Sequence, residues 1–323
     1  MTDAHQNLYG DTSVTAKPNI SANELLAPYT SWRIGGPARF FAEATTPGQL
    51  IAALDWARQH DLPVALLGGG TNTLVRDQGY PGLVLRYRAQ NIHIDRQDDQ
   101  VRVWIAAGAP TAGTARKLAR QGYAGLEWAE GVPGTIGGAI YGNAGCYGGD
   151  IASVLARAWL LVNGHVEEWP VQQFAYNYRT SVLKTTTEHP AHSTSQSAAT
   201  RPIIIAAECI LTYADPRTLA DRLALISQTR RSKTPSGQSC GSVFKNPPGD
   251  SAGRLIEAAG LKGARIGNAQ ISEKHANYII NLGKASSDDV LQLIQLAQER
   301  VAKEFSIELE LEVQVLPPRL EAT

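Results

Sequence analysis

The sequence predicts an α+β protein made of more than one packed unit. Its 323 residues exceed the usual domain size of about 150 residues, which favours two or three domains. Residues 39–44 read as a strand, a helix follows, and residues 63–67 read as a buried strand that ends in Gly68-Gly69-Gly70. A strand-rich stretch and then a mixed unit come after this βαβ pattern, so we expect three parts.

Local signals place the elements of these parts. Thr46-Pro47-Gly48-Gln49 combines an N-cap, a proline at the first helical position and a glutamine that can close a capping box. Asn163-Gly164 between two apolar runs predicts a tight hairpin. The remaining predicted strands are 82–86, 101–107, 158–162, 165–169, 203–213, 278–281 and 307–315, and the remaining helices are 110–120, 216–232, 251–259 and 287–305. In the last strand, Ile307, Leu309, Leu311, Val313 and Val315 share one face, and Glu308, Glu310 and Glu312 share the other.

Composition excludes several classes of protein. Thirty Lys and Arg balance thirty Asp and Glu, so there is no basic footprint for nucleic acid. No apolar run approaches the roughly 20 residues that span a bilayer, and the start does not resemble a signal peptide, so we expect a cytoplasmic protein with no membrane or nucleic-acid partner. Cys146, Cys209 and Cys240 form no CxxC pair, which supports neither a disulfide framework nor a zinc site. Residues 185–201 are polar and of low complexity, which predicts a surface loop.

Two glycine-rich segments are the strongest chemical signal. Residues 67–74 read LGGGTNTL, and residues 131–145 read GVPGTIGGAIYGNAG. Backbone without a Cβ atom can approach a phosphate and direct several N–H groups at it. Neither segment is a GxGxxG or a Walker loop, so the alternatives are an anion site of another type and simple tight turns. A GxSxG match at 237–241 lacks the strand before it and the helix after it that a nucleophile elbow requires.

Six blocks in order carry a resemblance to a known family. They are SWRIGG at 31–36, the two glycine segments, YRTS at 178–181, GSVFKNP at 241–247 and LEV at 311–313. Together they resemble the UDP-N-acetylenolpyruvoylglucosamine reductase family of peptidoglycan synthesis, over roughly residues 25–316. The chain passes from Tyr213 directly into a helix, so it is similar to the shorter form of the family, which lacks an extra loop with a substrate-contacting tyrosine.

The resemblance implies three domains. It predicts an FAD-binding fold of the vanillyl-alcohol-oxidase (PCMH) type in residues 1–87 and 88–226, and an α/β substrate-binding domain in 227–323 whose final strand returns to the active site. We expect roughly the first 25 residues to be flexible. The chain is expected to act as a monomer.

The implied reaction uses FAD as cofactor and NADPH as co-substrate. A hydride from flavin N5 reduces the enolpyruvyl ether of a UDP-sugar, UDP-N-acetylglucosamine enolpyruvate, to the lactyl ether of UDP-N-acetylmuramate. Carried over residue by residue, Arg179 holds the substrate carboxylate, Ser242 donates the proton and Glu312 stabilises the enolic intermediate. A surface arginine and a loop serine are the structural alternatives for the first two.

Further residues carried over contact the cofactor or the substrate. The predicted cofactor contacts are Arg33, Gly68, Gly69, Gly70, Thr71, Asn72, Thr73, Leu74, Gly131, Val132, Pro133, Gly134, Thr135, Gly137, Gly138, Asn143, Ala144 and Gly145. The predicted substrate contacts are Tyr178, Lys233, Lys245, Asn246 and Gln270. No metal site is expected, because the seven histidines form no spaced ligand set. His275 is expected to serve packing or to face the substrate rather than to act as a general base.

Two other functions remain open at this point. An FAD oxidase of the same fold would share the glycine segments, although it would not be expected to combine them with Arg179, Ser242 and Glu312. A non-catalytic nucleotide-binding protein could have kept the fold, but it would tolerate the loss of these three side chains.

Overall fold

The computed structural model describes residues 18–188 and 201–318 and divides the chain into two compact units. Unit 1 comprises Met1–Ser21, Phe41–Gly68 and Gly82–Thr229, and unit 2 comprises Ala22–Phe40, Gly69–Pro81 and Arg230–Thr323. The predicted division at residues 87 and 226 into three domains stays a prediction. Residues 1–17 of the segment expected to be flexible lie outside the described residues, whereas Ile20–Leu25 forms a strand.

Three helices of unit 1, which begin at residues 47, 111 and 216, match predicted helices, and two short ones, which begin at residues 136 and 182, were not predicted. They are α1 (Pro47–Gln59), α2 (Thr111–Arg120), α3 (Ile136–Tyr141), α4 (Val182–Glu188) and α5 (Pro216–Lys233), of which α5 runs on into unit 2. The Thr46 side chain caps α1 by accepting the Gln49 N–H, as predicted. The Gln49 side chain, however, accepts the N–H of Thr45 at 2.8 Å, so the reciprocal bond falls one residue earlier than in a capping box.

Thirteen strands precede α5 within the described residues. They are β1 (Ile20–Leu25), β2 (Pro37–Ala44), β3 (Val64–Leu66), β4 (Thr73–Val75), β5 (Tyr80–Tyr87), β6 (Ile92–Arg96), β7 (Val101–Ala106), β8 (Tyr123–Ala124), β9 (Gly145–Cys146), β10 (Gly149–Asp150), β11 (Leu155–Val162), β12 (His165–Pro170) and β13 (Ile203–Tyr213). The larger sheet has the order β12-β11-β13-β7-β6, with antiparallel neighbours. Asn163 and Gly164, with φ of 49° and 83°, close the predicted hairpin between β11 and β12.

The predicted βαβ unit is present with an altered strand order. In the sheet β1-β2-β5-β3, strand β5 lies between β2 and β3 and pairs in parallel with β3, Val64 opposite Leu83. The two strands joined by α1 are therefore not hydrogen-bonded neighbours, because the later strand β5 occupies the position between them.

Unit 2 is a small α/β assembly around its own core. Its further elements are α6 (Ala252–Ala258), β14 (Arg265–Ile266), β15 (Ala269–Ile271), β16 (Ile279–Asn281), α7 (Ser287–Phe305) and β17 (Gln314–Leu316). Strands β14, β15 and β16 form an antiparallel sheet. Trp32, Phe244, Leu255 and Leu293 are buried in one cluster, and Ser286 and Asp289 form a capping box at the start of α7.

The predicted long strand 307–315 is wrong in extent. Only Gln314–Leu316 is a strand, which pairs in parallel with β4, and Leu311 forms an isolated bridge to Phe244. The predicted alternation nevertheless appears in the burial, since Leu309 and Val313 are buried while Glu308 and Glu310 are exposed. Packing against the core therefore determines which side chains of this segment are buried, although few of its backbone groups are hydrogen-bonded to another strand.

The start of the segment predicted as a polar loop, 185–201, is helical instead. Thr185 to Glu188 continue helix α4, and residues 189–200 lie outside the described residues. Within residues 18–188 and 201–318, none of the helices combines the length and apolar content needed to cross a bilayer.

Candidate active site

Ser242 and Glu312 are brought together in unit 2 by backbone hydrogen bonds. The carbonyl oxygen of Val243 accepts the N–H of Glu312 at 2.8 Å, and the N–H of Lys245 donates to the carbonyl oxygen of Glu310 at 2.9 Å. The Phe244–Leu311 bridge lies between these two bonds. Both Ser242 and Glu312 are half-buried, so each side chain retains access to a ligand.

The first glycine segment is attached to the same place. Asn72 Nδ2 donates to the carbonyl oxygen of Glu312 at 2.9 Å, and the N–H of Gln314 donates to the carbonyl oxygen of Asn72 at 2.9 Å. These bonds extend the parallel pairing of β17 with β4. The predicted cofactor residue Asn72 therefore also holds the main chain of Glu312.

Arg179 lies at a strained turn in unit 1. Asn177 and Thr180 bridge across Tyr178 and Arg179, and Arg179 has a φ of 56°, a region that residues other than glycine rarely adopt. The Arg179 guanidinium carbon lies 5.7 Å from the centre of the Tyr178 ring. The buried Lys184 donates from Nζ to the carbonyl oxygen of Arg179 at 3.3 Å. Strain of this kind is typical of functional sites.

The turn that carries Arg179 is anchored on the second glycine segment. The Tyr176 hydroxyl donates to the carbonyl oxygen of Ile140 at 2.9 Å, and the Ser181 hydroxyl donates to that of Tyr141 at 2.6 Å. Asn143 Nδ2 donates to the carbonyl oxygen of Asn177 at 3.1 Å. Within unit 1, the turn that carries Arg179 is thus bonded to three residues of the second glycine segment, of which Asn143 is a predicted cofactor contact.

Several amides of the second glycine segment are used by the protein itself. The N–H of Gly137 donates to the carbonyl oxygen of Ala107 at 2.8 Å, and that of Ile136 to Ala109 at 2.9 Å. A Cβ at position 137 would lie 3.0 Å from the Ala107 Cβ, so Gly137 allows α3 to approach the end of β7. Thr135 caps α3 by accepting the Gly138 N–H. Gly137 and Gly138 therefore have structural roles in addition to the predicted contact with the cofactor.

Gly70 and Gly68 of the first segment differ in how closely other atoms would approach a Cβ atom. Gly70 has a φ of 62°, and a Cβ there would lie 1.9 Å from the carbonyl oxygen of Tyr29, so this residue is fixed by backbone packing. A Cβ at Gly68 would meet only the Thr135 hydroxyl, at 3.2 Å. In unit 1, Gly68 therefore approaches the second glycine segment at the residue that caps α3.

Buried polar atoms near the second glycine segment suit a polar ligand. Among the described residues, Thr111 Oγ1 and Trp128 Nε1 are buried without a protein partner. The N–H of Thr111 donates to the carbonyl oxygen of Gly134, and Trp128 lies three residues before the start of the segment. An unsatisfied buried group costs about 1–3 kcal/mol. A cofactor bound by these residues would remove that cost, so the residues present fit a large polar cofactor such as FAD.

The other predicted contacts already have partners in the protein. The Arg33 guanidinium donates to the carbonyl oxygen of Pro28, and Lys245 pairs with Glu310. Asn246 Oδ1 accepts the Ala252 N–H at 3.1 Å, and Gln270 Nε2 donates to the carbonyl oxygen of Gly263 at 3.2 Å. Tyr178 and Lys233 are exposed, as are Arg33 and Asn246. The contacts of all these residues with a ligand stay predictions.

Burial shifts the pKa values of two cysteines and of His275. Burial raises the pKa of the Cys209 and Cys240 thiols to about 12, so neither is a thiolate near neutral pH. Burial lowers the pKa of His275, whose Nδ1 accepts the N–H of Asn277. Over the part of the chain that the structure describes, no group of three or more His, Cys, Asp and Glu could hold a metal ion.

Sequence reasoning missed two residues of this region. Lys184 contacts Arg179, and the buried Asn277 contacts the segment that follows Ser242. The sequence around residue 275 drew attention to the histidine alone, because an asparagine in a loop gives no signal of a long-range contact.

Comparison with known proteins first identifies the class of protein. The family model described as "FAD binding domain" matches residues 38–167, which contain both glycine segments. The predicted fold class, an α+β chain with an FAD-binding fold of the vanillyl-alcohol-oxidase type, is thereby confirmed. The chain is a flavoprotein oxidoreductase, and FAD is its cofactor.

A second family model and several similar proteins identify the family. The model described as "UDP-N-acetylenolpyruvoylglucosamine reductase, C-terminal domain" matches residues 231–316. Relatives of that name include one from Chloroflexus aggregans, 51% identical over 94% of this chain and 98% of the relative, and one from Rubrobacter xylanophilus, 40% identical over 93% and 96%. The solved MurB structure from Thermus caldophilus is 33% identical, covers 93% of this chain and 99% of that chain, and gives a TM-score of 0.74. The chain belongs to the UDP-N-acetylenolpyruvoylglucosamine reductase family.

Proposed function

We propose that this protein reduces UDP-N-acetylglucosamine enolpyruvate to UDP-N-acetylmuramate, with FAD as cofactor and NADPH as the source of the hydride. The observation that carries the proposal is the backbone bond of Glu312 to Val243, which lies beside Ser242 within the residues matched by the reductase family model. Two groups able to handle a proton are thereby held on adjacent segments. An FAD oxidase or a nucleotide-binding protein without catalysis does not require this arrangement.

The reaction adds a hydride and a proton across the carbon–carbon double bond of the enolpyruvyl group. FAD, when bound, supplies the hydride chemistry that no side chain offers. Addition of the hydride to the terminal carbon places negative charge on the neighbouring carbon and on the carboxylate beside it. The protein must therefore stabilise that charge and deliver a proton to the carbon that bears the ether oxygen.

Arg179 meets the first requirement. A guanidinium pairs with a carboxylate through two parallel hydrogen bonds and is always charged. The strained turn and its three bonds to residues 140, 141 and 143 hold the backbone of Arg179 in place. In our proposal, Arg179 binds the substrate carboxylate and becomes more strongly paired as charge develops.

Ser242 and Glu312 meet the second requirement. The Ser242 hydroxyl gives its proton to the ether-bearing carbon and is then reprotonated from solvent. Because a hydroxyl is a weak acid, the reaction needs a second group that stabilises the enolic intermediate, and the half-buried Glu312 takes this role. The other predicted substrate contacts, Tyr178, Lys233, Lys245, Asn246 and Gln270, would hold the diphosphate and the sugar.

The test of the proposed function is spectroscopic. The purified protein is expected to show a flavin absorption spectrum. Under anaerobic conditions, NADPH is expected to bleach it, and UDP-N-acetylglucosamine enolpyruvate is then expected to restore it. A protein that cannot be loaded with FAD, or one that only an alcohol substrate bleaches, would contradict the proposal. The predicted cytoplasmic location and monomeric state require cell fractionation and sedimentation.

A further inference from the structure

Asn277 is a buried side chain to which the proposed mechanism gives no role. It lies in unit 2 on the loop between β15 and β16, with 3% of its surface exposed. A buried amide is favourable only when its donors and acceptors are satisfied. The partners of this amide therefore indicate what it stabilises.

The partners of Asn277 are the peptide groups that follow Ser242. Its Oδ1 accepts the Phe244 N–H at 2.9 Å, and its Nδ2 donates to the Phe244 carbonyl oxygen at 2.8 Å. Its own carbonyl oxygen accepts the Val243 N–H at 2.9 Å. The side chain thus pairs with Phe244 in both directions, as a neighbouring strand residue would.

The same short segment holds Glu312 through its other polar groups. The Val243 carbonyl oxygen accepts the N–H groups of Glu312 at 2.8 Å and Val313 at 3.4 Å. Asn277 therefore binds one set of backbone groups of residues 243–244, and the segment of Glu312 binds the complementary set. A displacement of residues 243–244 would move the main chains of both predicted reacting residues.

Resting on the proposed function, we infer that Asn277 is a positioning residue that fixes the separation of Ser242 and Glu312 in the reduction of the substrate. Proton transfer requires reacting atoms held at near-contact distances, and a misplacement of about 1 Å can cost on the order of 10²-fold in rate. The transfer of hydride from NADPH to FAD requires no proton from Ser242, so Asn277 should not affect that half-reaction.

Asn277→Asp provides a reversible test of this inference. The charged carboxylate still accepts the Phe244 N–H but presents no donor to the Phe244 carbonyl oxygen. The protonated carboxyl restores that donor, and burial favours the protonated form. Titratable residues joined to this network by hydrogen bonds or by the chain are His275, Tyr278, Lys245, Glu310 and Glu312. They are common to the parent and the variant, so the ratio of the two rates reports the new carboxyl.

The experiment measures the two half-reactions separately by anaerobic stopped flow at pH 8 and pH 6. At pH 8, we expect Asn277→Asp to slow reoxidation by the substrate on the order of 10²-fold, with flavin reduction by NADPH and flavin content unchanged. At pH 6, the ratio of variant to parent is expected to recover. Ser287→Ala is the matched control, because buried Ser287 bonds to Asp77 in the same unit and should leave both half-reactions unchanged.

A second readout does not depend on activity. Amide hydrogen exchange of the parent and of Asn277→Asp at pH 8 should show faster exchange at Val243, Phe244 and also Glu312. If protection at Glu312 is unchanged, or if the variant is reoxidised as fast as the parent, Asn277 does not position the pair. A parent protein that the substrate fails to reoxidise would contradict the proposed function, while the exchange data would still decide the role of Asn277. For a variant that does not fold, Asn277→Ser, which can keep one of the bonds, takes its place in both measurements.

Discussion

The N–H of Glu312 donates to the carbonyl oxygen of Val243 at 2.8 Å, which attaches Glu312 to the residue directly after Ser242. Ser242 and Glu312 are 70 positions apart in sequence, so their proximity depends on the folded core of unit 2. Because the link is made by backbone atoms, either side chain can be substituted without breaking it. This makes single substitutions at Ser242 and Glu312 informative about chemistry rather than folding.

Ser242→Ala is expected to separate the two half-reactions. NADPH should reduce the flavin at the rate of the parent, whereas reoxidation by the substrate should fall about 10²–10⁴-fold, the usual contribution of a general acid. Ser242→Cys should retain part of the rate, since a thiol also donates a proton. Stopped-flow absorbance of the flavin measures both steps. An alanine variant that is reoxidised at the parent rate would leave Ser242 as an ordinary loop residue.

Glu312→Gln is also expected to slow reoxidation of the flavin by the substrate. The amide keeps the size of the side chain but can neither ionise nor transfer a proton, so we expect reoxidation to slow by at least about tenfold, or 1.4 kcal/mol of barrier. Glu308→Gln is the matched control, because Glu308 is exposed on the same segment. Equal effects of the two substitutions would argue against the role assigned to Glu312.

Arg179→Lys is expected to weaken the hold on the substrate carboxylate. An ammonium keeps the charge but cannot form the two parallel bonds of a guanidinium, and a hydrogen bond to a charged group contributes about 1.5–3 kcal/mol. We therefore expect reoxidation to slow on the order of 10–100-fold, with a higher KM for the substrate. Arg58→Lys, on the exposed face of α1 beside Asp55, serves as the control. An unchanged KM and an unchanged rate would reassign Arg179 to the turn alone.

Local sequence signals predicted the parts of this fold that local interactions determine. The Asn163-Gly164 hairpin, the Thr46 cap and the burial period of residues 307–313 depend on φ preferences and side-chain alternation within a few residues. The insertion of β5 between β2 and β3 was not predicted. Strand order depends on which distant segments pair, and such information is absent from a single periodic window.

The candidate site, too, could be predicted only in part from the sequence. Arg179, Ser242 and Glu312 were carried over from family motifs, and the structure then showed that Ser242 and Glu312 lie on bonded segments. The sequence did not point to Asn277 or Lys184, because a buried polar side chain is recognised by its partners in the fold rather than by its sequence neighbours. Gly137 was predicted as a cofactor contact, and only the structure showed that its amide is bonded to Ala107.

Alanine substitutions at Gly68 and Gly70 should separate cofactor binding from folding. Gly70→Ala forces a Cβ against the Tyr29 carbonyl oxygen at a φ of 62°, and the loss of stability should be about 3 kcal/mol or more, since left-handed strain alone costs about 1–3 kcal/mol. Gly68→Ala meets only a movable hydroxyl, so we expect normal stability but FAD affinity lowered at least about tenfold. Urea unfolding of the apoprotein and a flavin titration measure the two effects. Unchanged FAD affinity in Gly68→Ala would show that Gly68 is a turn glycine.

His275 is expected to make the stability of unit 2 depend on pH. Burial holds the pKa of His275 below its ordinary value, which is about 6.5. As the pH falls below that value, the unfolded chain takes up a proton that folded His275 does not yet bind, so the free energy of unfolding decreases. The decrease continues until the pH passes the lower pKa of the folded state, with a slope of at most about 1.4 kcal/mol per pH unit for one proton.

His275→Gln removes this titration while keeping a side chain that can accept the Asn277 N–H. The difference in unfolding free energy between parent and variant should therefore be constant from pH 8 to about pH 6.5 and should shift in favour of the variant at lower pH. Urea unfolding followed by tryptophan fluorescence at several pH values measures the difference, and Trp32 in the buried core of unit 2 provides a local reporter. Subtracting the two curves cancels the carboxylates that both proteins share. A difference that stays constant down to pH 5 would mean that His275 titrates alike in the folded and unfolded chains.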